Sequence, residues 1–259
     1  LVANQDKPAD DATILLQSQR TLRNGAVIKA VYQDIPQAFS IDSPMLLERV
    51  LYTLAGQFTG VLSPQSVCNA LHLSQPTFDR YLSYLQQAYL VFTLPNYSGS
   101  EASVQKRGRK VYFVDGAIRN AALQRGIVPL SDDREMGMLM ENLAAGHLHA
   151  LSLQSQIRLY HWRDGDDEVD LVYDDPNHPL AFEIGSSSAH HRGGLRAFSE
   201  RYKKFKGNCY LVSTDPSARK PEHSNDGIGA IPIDLFLLCL GLQAERELVK
   251  RLAPAGAIQ

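Results

Sequence analysis

The chain has 259 residues, 44% hydrophobic and 21% charged, with a formal net charge of -2. That is ordinary for a globular protein and long enough for two modest domains. It excludes a general electrostatic pull towards nucleic acid, so any such contact must come from a local basic patch. Cys68, Cys209 and Cys239 are odd in number and far apart. This argues against a disulfide framework and a cysteine zinc site, and for a reducing, cytoplasmic setting. No apolar run reaches the roughly 18 residues of a membrane span. The start, Leu1-Val2-Ala3-Asn4-Gln5-Asp6-Lys7-Pro8, lacks the apolar core of a signal peptide. A first residue other than Met reads as a piece of a longer polypeptide. No GxxxxGK[ST] is present, so no P-loop nucleotide site is expected.

Residues 1–42 read as a polar lead-in, helical around Ile14-Leu15-Leu16 and from Ala26 to Tyr32, and closed at Pro36. Residues 43–115 form the next unit. Ser43-Pro44, Ser63-Pro64 and Ser74-Gln75-Pro76 each place a capping hydroxyl before a proline in the first turn, which predicts three helix starts. Leu46, Leu47, Val50, Leu51 and Leu54 recur at helical spacing, as do Phe78, Leu82, Leu85 and Tyr89. Leu90 to Leu94 and Val111 to Val114 read as strands. Three helices and a hairpin describe a helix-turn-helix unit of winged-helix type.

Residues 116–259 read as mixed α/β. A long helix begins near Gly137, and strands are expected at Ile157 to Trp162, Glu168 to Tyr173 and Leu180 to Ile184. An amphipathic helix from Leu195 to Phe205, stopped at Gly207, leads into a strand at Asn208 to Ser213. A strand–helix–strand of that length implies a parallel crossover. A last helix runs from Pro232 to about Leu252.

The chemistry concentrates in Asp166-Asp167-Glu168-Val169-Asp170 and in Ala181-Phe182-Glu183-Ile184-Gly185. If these are hairpin neighbours, Asp170 and Glu183 converge, with Glu141 of the preceding helix as a third carboxylate. Hard carboxylate oxygens suit Mg²⁺ or Mn²⁺. This is the acidic half of a PD-(D/E)xK nuclease site. The lysine two residues after the glutamate is replaced by Gly185, which predicts loss of hydrolysis. Arg192 or Arg196 is the expected source of a relocated cation if hydrolysis survives. Asp166-Asp167-Glu168 also fits a solvated turn. His161, His190 and His191 match no zinc-ligand spacing. For nucleic acid, the candidate contacts are Arg80 on the third helix and Lys106, Arg107, Arg109 and Lys110 at the tip of the hairpin. The same basic run fits a mobile polar loop, and winged helices also serve as protein-interaction modules.

Pro76 to Val91, Lys110 to Asp115, Gly137 to Asn142, Tyr160-His161-Trp162-Arg163 and Glu168-Val169-Asp170 together resemble a large prokaryotic AAA+-type ATPase family. In that family a P-loop domain is followed by a C-terminal region of unknown function, similar to a winged helix joined to a PD-(D/E)xK nuclease-like domain. The resemblance implies that Glu141, Asp170 and Glu183 occupy the nuclease-like acidic positions. It also implies that Ala26 to Pro36 leaves the ATPase lid, and that the partners are DNA or an ATPase domain of the same or another chain. The usual Glu-Val-Lys-Ser is Glu183-Ile184-Gly185-Ser186 here.

Overall fold

The computed structural model describes residues 11–41, 43–98, 108–185, 189–215, 222–223 and 227–252. The chain forms two compact units. The first holds Leu1–Phe92 and Phe113–Met138, and the second holds Thr93–Tyr112 and Leu139–Gln259.

The first unit is helical, with the roots of a hairpin. Its helices are α1 (Asp11–Leu22), α2 (Ile35–Ala38), α3 (Pro44–Gly56), α4 (Pro64–Leu71), α5 (Gln75–Gln87) and α6 (Gly116–Leu123). The three serine caps form as the sequence predicts. Ser43, Ser63 and Ser74 accept from the backbone N–H groups of Leu46, Ser66 and Thr77 at 3.2–3.3 Å, satisfying amides that the first turn leaves unpaired. Leu47, Val50, Leu51, Leu54, Phe78, Leu82 and Leu85 are buried, so the helical spacing marks the core face for these; Tyr89, placed on the same face by that spacing, lies past the end of α5 and is exposed.

Pro36 does not close the first helical stretch. Two π-helical runs, Arg23–Ile28 and Ala30–Asp34, follow α1, and Pro36 sits in the first turn of α2. Asp34 and Ile35 are both αR, so the helical backbone runs on through Pro36 and ends at Ala38, before extended Phe39. Arg119, nearly fully buried, ion-pairs with Glu135 and donates from Nε to the Ala55 carbonyl at 3.1 Å. Arg125 pairs with the same carboxylate at 2.6 Å. These bonds hold the Glu135 pKa below its ordinary value, the Arg125 hydrogen bond being the largest cause.

Strands β1 (Val91–Pro95) and β2 (Arg109–Phe113) pair as a two-stranded sheet. The remaining elements are α7 (Asp133–Ser155), β3 (Leu159–Asp164), β4 (Asp167–Tyr173), β5 (Leu180–Gly185), α8 (Ala189–Arg201), β6 (Cys209–Ser213), β7 (Glu222–His223), β8 (Ile228–Pro232) and α9 (Ile233–Leu252). Six of the strands form one mixed sheet in the order β3-β4-β5-β6-β8-β7. β3, β4 and β5 are antiparallel neighbours, whereas β5, β6 and β8 run parallel. The crossover from β5 through α8 to β6 is therefore the expected one, while β7 and β8 are not anticipated by the sequence. No helix among the described residues is long and apolar enough to cross a membrane.

One apolar cluster of the second unit joins Tyr97, Trp162, Val169, Leu195, Phe198 and Phe205. α8 lies almost in contact with the backbone of β4. A Cβ added at Gly194 would stand 2.0 Å from the Glu168 carbonyl oxygen. Gly194→Ala therefore has to push helix from strand, and overpacking of this kind costs about 1–3 kcal/mol. Urea unfolding of the variant is expected to show that loss. A change within about 0.5 kcal/mol, the range of neutral surface substitutions, would mean that the close approach is not real.

Candidate functional site

The sheet opens where its carboxylates lie. β4 and β5 are in register only from Leu171↔Phe182 to Tyr173↔Leu180. Beyond that point side chains take over the ladder. Glu183 Oε2 accepts the Asp170 N–H at 3.1 Å, and Asp170 Oδ2 accepts the Ile184 N–H at 2.9 Å. On the other side of β4, Tyr160 pairs with Val172 and Trp162 with Val169. Three steps on β4 match two on β3, so Asp170 and Leu171 together oppose His161. A β-bulge of this kind bends the strand and re-aims a side chain.

Lys110, on β2, enters this acidic group. Its Nζ lies 2.7 Å from Asp170 Oδ1, 3.1 Å from Glu141 Oε1 and 2.5 Å from Glu168 Oε1. An ammonium has three N–H donors, and three carboxylates take them. Tyr112, two residues on and therefore on the same face of β2, donates from its hydroxyl to Glu141 Oε1 at 2.8 Å. Lys110 is 2% exposed, Asp170 5% and Glu183 8%. All of these residues belong to the second unit.

One cation faces an excess of carboxylates. Burial alone would lower the pKa of Lys110, but the charges of Asp170, Glu141 and Glu168 outweigh it and hold the ammonium well above its ordinary value. Burial, and after it the charge of Asp170, raises the Glu141 pKa to about 7, with Lys110 pulling the other way. The same two causes push Glu183 well above the carboxylate range. Burial, helped by Lys110, depresses His161 to about 4. Its Nε2 lies 3.2 Å from the Gly108 carbonyl, which fixes the neutral tautomer with the proton on Nε2. Its Nδ1 has no hydrogen-bond partner among the described residues.

Sequence reasoning placed Glu141, Asp170 and Glu183 as a group, and the structure brings them together. Lys110 needs a correction. It was expected among the surface cations at the hairpin tip; instead it is buried with its donors filled, and cannot meet a phosphate there. Arg109 and Arg80 are exposed. Lys106 and Arg107 lie outside the described residues. Under the alternative of surviving hydrolysis, Arg192 or Arg196 was to supply a cation beside Asp170; the cation there is Lys110, and Arg192 Nη1 donates to the Ile228 carbonyl at 3.5 Å. Glu168, Tyr112 and His161 complete the group. The one sequence signal for the Lys110–Tyr112 pair is their i, i+2 spacing in a strand.

Among the described residues, no group of three or more His, Cys, Asp or Glu side chains is placed to hold a metal ion. The oxygens of Asp170 are taken by Lys110 and the Ile184 amide, and Glu141 Oε1 by Lys110 and Tyr112. The residues as they stand do not fit Mg²⁺ or Mn²⁺.

Two family models match the chain. One is described as a domain of unknown function (DUF8612), over residues 11–127, and the other as a domain of unknown function (DUF4143), over residues 136–236. The gap between them contains the 3₁₀ turn Val128–Ser131 that precedes α7. No curated protein and no solved structure matches.

Proposed function

We propose that this chain is a partner-engaging C-terminal region of an AAA+-type ATPase, in which a winged helix precedes a PD-(D/E)xK nuclease-like domain that does not hydrolyse. The observation that carries the loss of hydrolysis is Lys110, whose three donors end on Asp170, Glu141 and Glu168. Hydrolysis would need those oxygens for a metal and a cation free to orient water. The fixed ammonium withdraws both. It acts as an internal counter-ion that keeps the carboxylates folded in.

A protein partner, such as an ATPase domain of the same or another chain, is favoured over DNA. With Lys110 turned inward, the basic run loses one of its four cations. α5 exposes Arg80 beside Asp79, a poor supply for phosphate contacts.

The test incubates supercoiled plasmid and single-stranded DNA with the wild type and Asp170→Asn in Mg²⁺ and in Mn²⁺. Neither protein is expected to cut. Wild-type cleavage that disappears in Asp170→Asn would overturn the proposal. In the same preparations a labelled duplex is expected to bind weakly, with little salt dependence. Affinity falling about 10³-fold or more between 50 and 200 mM salt would mark many phosphate contacts, and would return nucleic acid as the partner.

A further inference from the structure

Away from the carboxylates, the second unit has a pocket of about 500 Å³ between the sheet, α7 and α9. That volume lies within the range of small-molecule sites. Its wall is aromatic and set in place. Phe182 meets Phe236 edge-on at 5.0 Å between ring centroids and stacks on Tyr210 at 6.0 Å. Leu148 and Leu240 continue the apolar lining.

The described lining carries one carboxylate, Asp175, and one imidazole, His178. Asp175 lies in the turn between β4 and β5, and no lysine or arginine is among the described lining residues. Its Oδ1 accepts the backbone N–H groups of Asn177 at 2.7 Å and His178 at 3.1 Å. The turn therefore fixes the side chain and leaves Oδ2 for another donor. Gln243, also in the lining, donates from Nε2 to Glu247 Oε1 at 2.9 Å, so a second carboxylate stands beside the wall.

We propose that this pocket binds a small organic cation, with an aromatic or alkyl body against Phe182, Phe236 and Tyr210 and an ammonium or amidinium end at Asp175. The rings take the apolar body, and the Asp175 carboxylate gives the cationic end a charge-assisted hydrogen bond. An anion of the same shape meets the carboxylate and finds no lysine or arginine among the described lining residues. α9, which closes one side, lies largely beyond the matched span ending at residue 236. The inference does not rest on the ATPase reading.

The matched probes are 4-phenylbutylammonium and 4-phenylbutanoate, titrated calorimetrically into the full chain. The ammonium is expected to bind about tenfold tighter. Asp175→Asn keeps the Oδ1 acceptor of the turn and removes the charge, so the preference should fall to about one while the fold stays intact. Cys239→Trp, at an exposed lining position, should fill the mouth and weaken both probes. Failure of both probes to bind at millimolar concentration, a preference below about threefold, or an unchanged preference in Asp175→Asn would each overturn the assignment.

Discussion

Lys110→Met is expected to lose about 3–5 kcal/mol of unfolding free energy at pH 7.5, the range for breaking a buried ion pair from one side. Methionine fills the space of the lysine stem, so the loss isolates the ammonium rather than a cavity. What remains is Glu141 and Asp170 without their ammonium, Glu168 with only Arg163 among the described residues, at 3.8 Å, and Glu183 bonded to the Asp170 amide. The lysine itself does not titrate in the working range. Its folded pKa is raised above the unfolded value, so its contribution is fully present below about pH 10 and is lost only as pH rises through the folded pKa. The pH dependence of the variant therefore belongs to the carboxylates. Without the ammonium they hold their protons more tightly, and the deficit shrinks as pH falls from 7.5 to 5. Urea unfolding at both pH values measures this, with the m-value as a check that the same surface is exposed. A loss below about 1 kcal/mol at pH 7.5 would return Lys110 to the surface run from which the sequence reading drew it.

That displacement marks the limit of what the sequence discloses. Local devices are legible. Ser-Pro caps, the spacing of Leu47, Val50, Leu51 and Leu54, and the strand–helix–strand of β5, α8 and β6 all depend on neighbours within a few residues. The acidic group is legible in part, because Asp170 and Glu183 sit on adjacent strands of one hairpin. Lys110 reaches Asp170 across 60 positions. In the sequence it stands beside Lys106, Arg107 and Arg109, and charge density reads as exposure. Only the third dimension shows that one member of the run turns inward. The bulge opposite His161 is hidden for a similar reason. Strict alternation places Glu168 and Asp170 on one face, and both reach Lys110 there; what alternation does not show is the residue inserted between Val169 and Val172. β8 is short and carries Gly229 and Pro232, which read as breakers. Pro36 fails as a stop because the αR backbone of Asp34 and Ile35 carries through it as far as Ala38.

Glu141→Gln is expected to leave the protein more stable than the wild type above pH 7, although it deletes a partner of Lys110. The wild-type Glu141 pKa is raised to about 7 against an unfolded value near 4.5. The folded state then binds more protons than the unfolded chain between those values. Stability falls as pH rises from about 4.5 to 7 and levels off above. The drop attached to this group is on the order of 3 kcal/mol. Glutamine mimics the protonated form. Its amide oxygen still accepts from Tyr112 and Lys110, and the ammonium keeps Asp170 and Glu168. The variant should therefore gain on the wild type as pH rises, by up to that amount at pH 8, and draw level near pH 5. His161 works in the opposite direction. Its pKa is depressed to about 4, so charging it as pH falls below about 6.5 favours the unfolded chain. In the wild type the two slopes offset each other from about pH 4.5 to 6.5, with Glu183, raised in the same sense as Glu141, tilting the balance towards lower pH. Removing Glu141 leaves the His161 and Glu183 slopes to oppose each other, so the variant's stability should fall less with pH than that of the wild type through this window. Thermal or urea unfolding of the two proteins at pH 5, 6, 7 and 8 separates the terms. Parallel pH curves for wild type and variant would show that Glu141 is an ordinary solvated carboxylate. The excess of buried negative charge around Lys110 would then have to be relieved by another group.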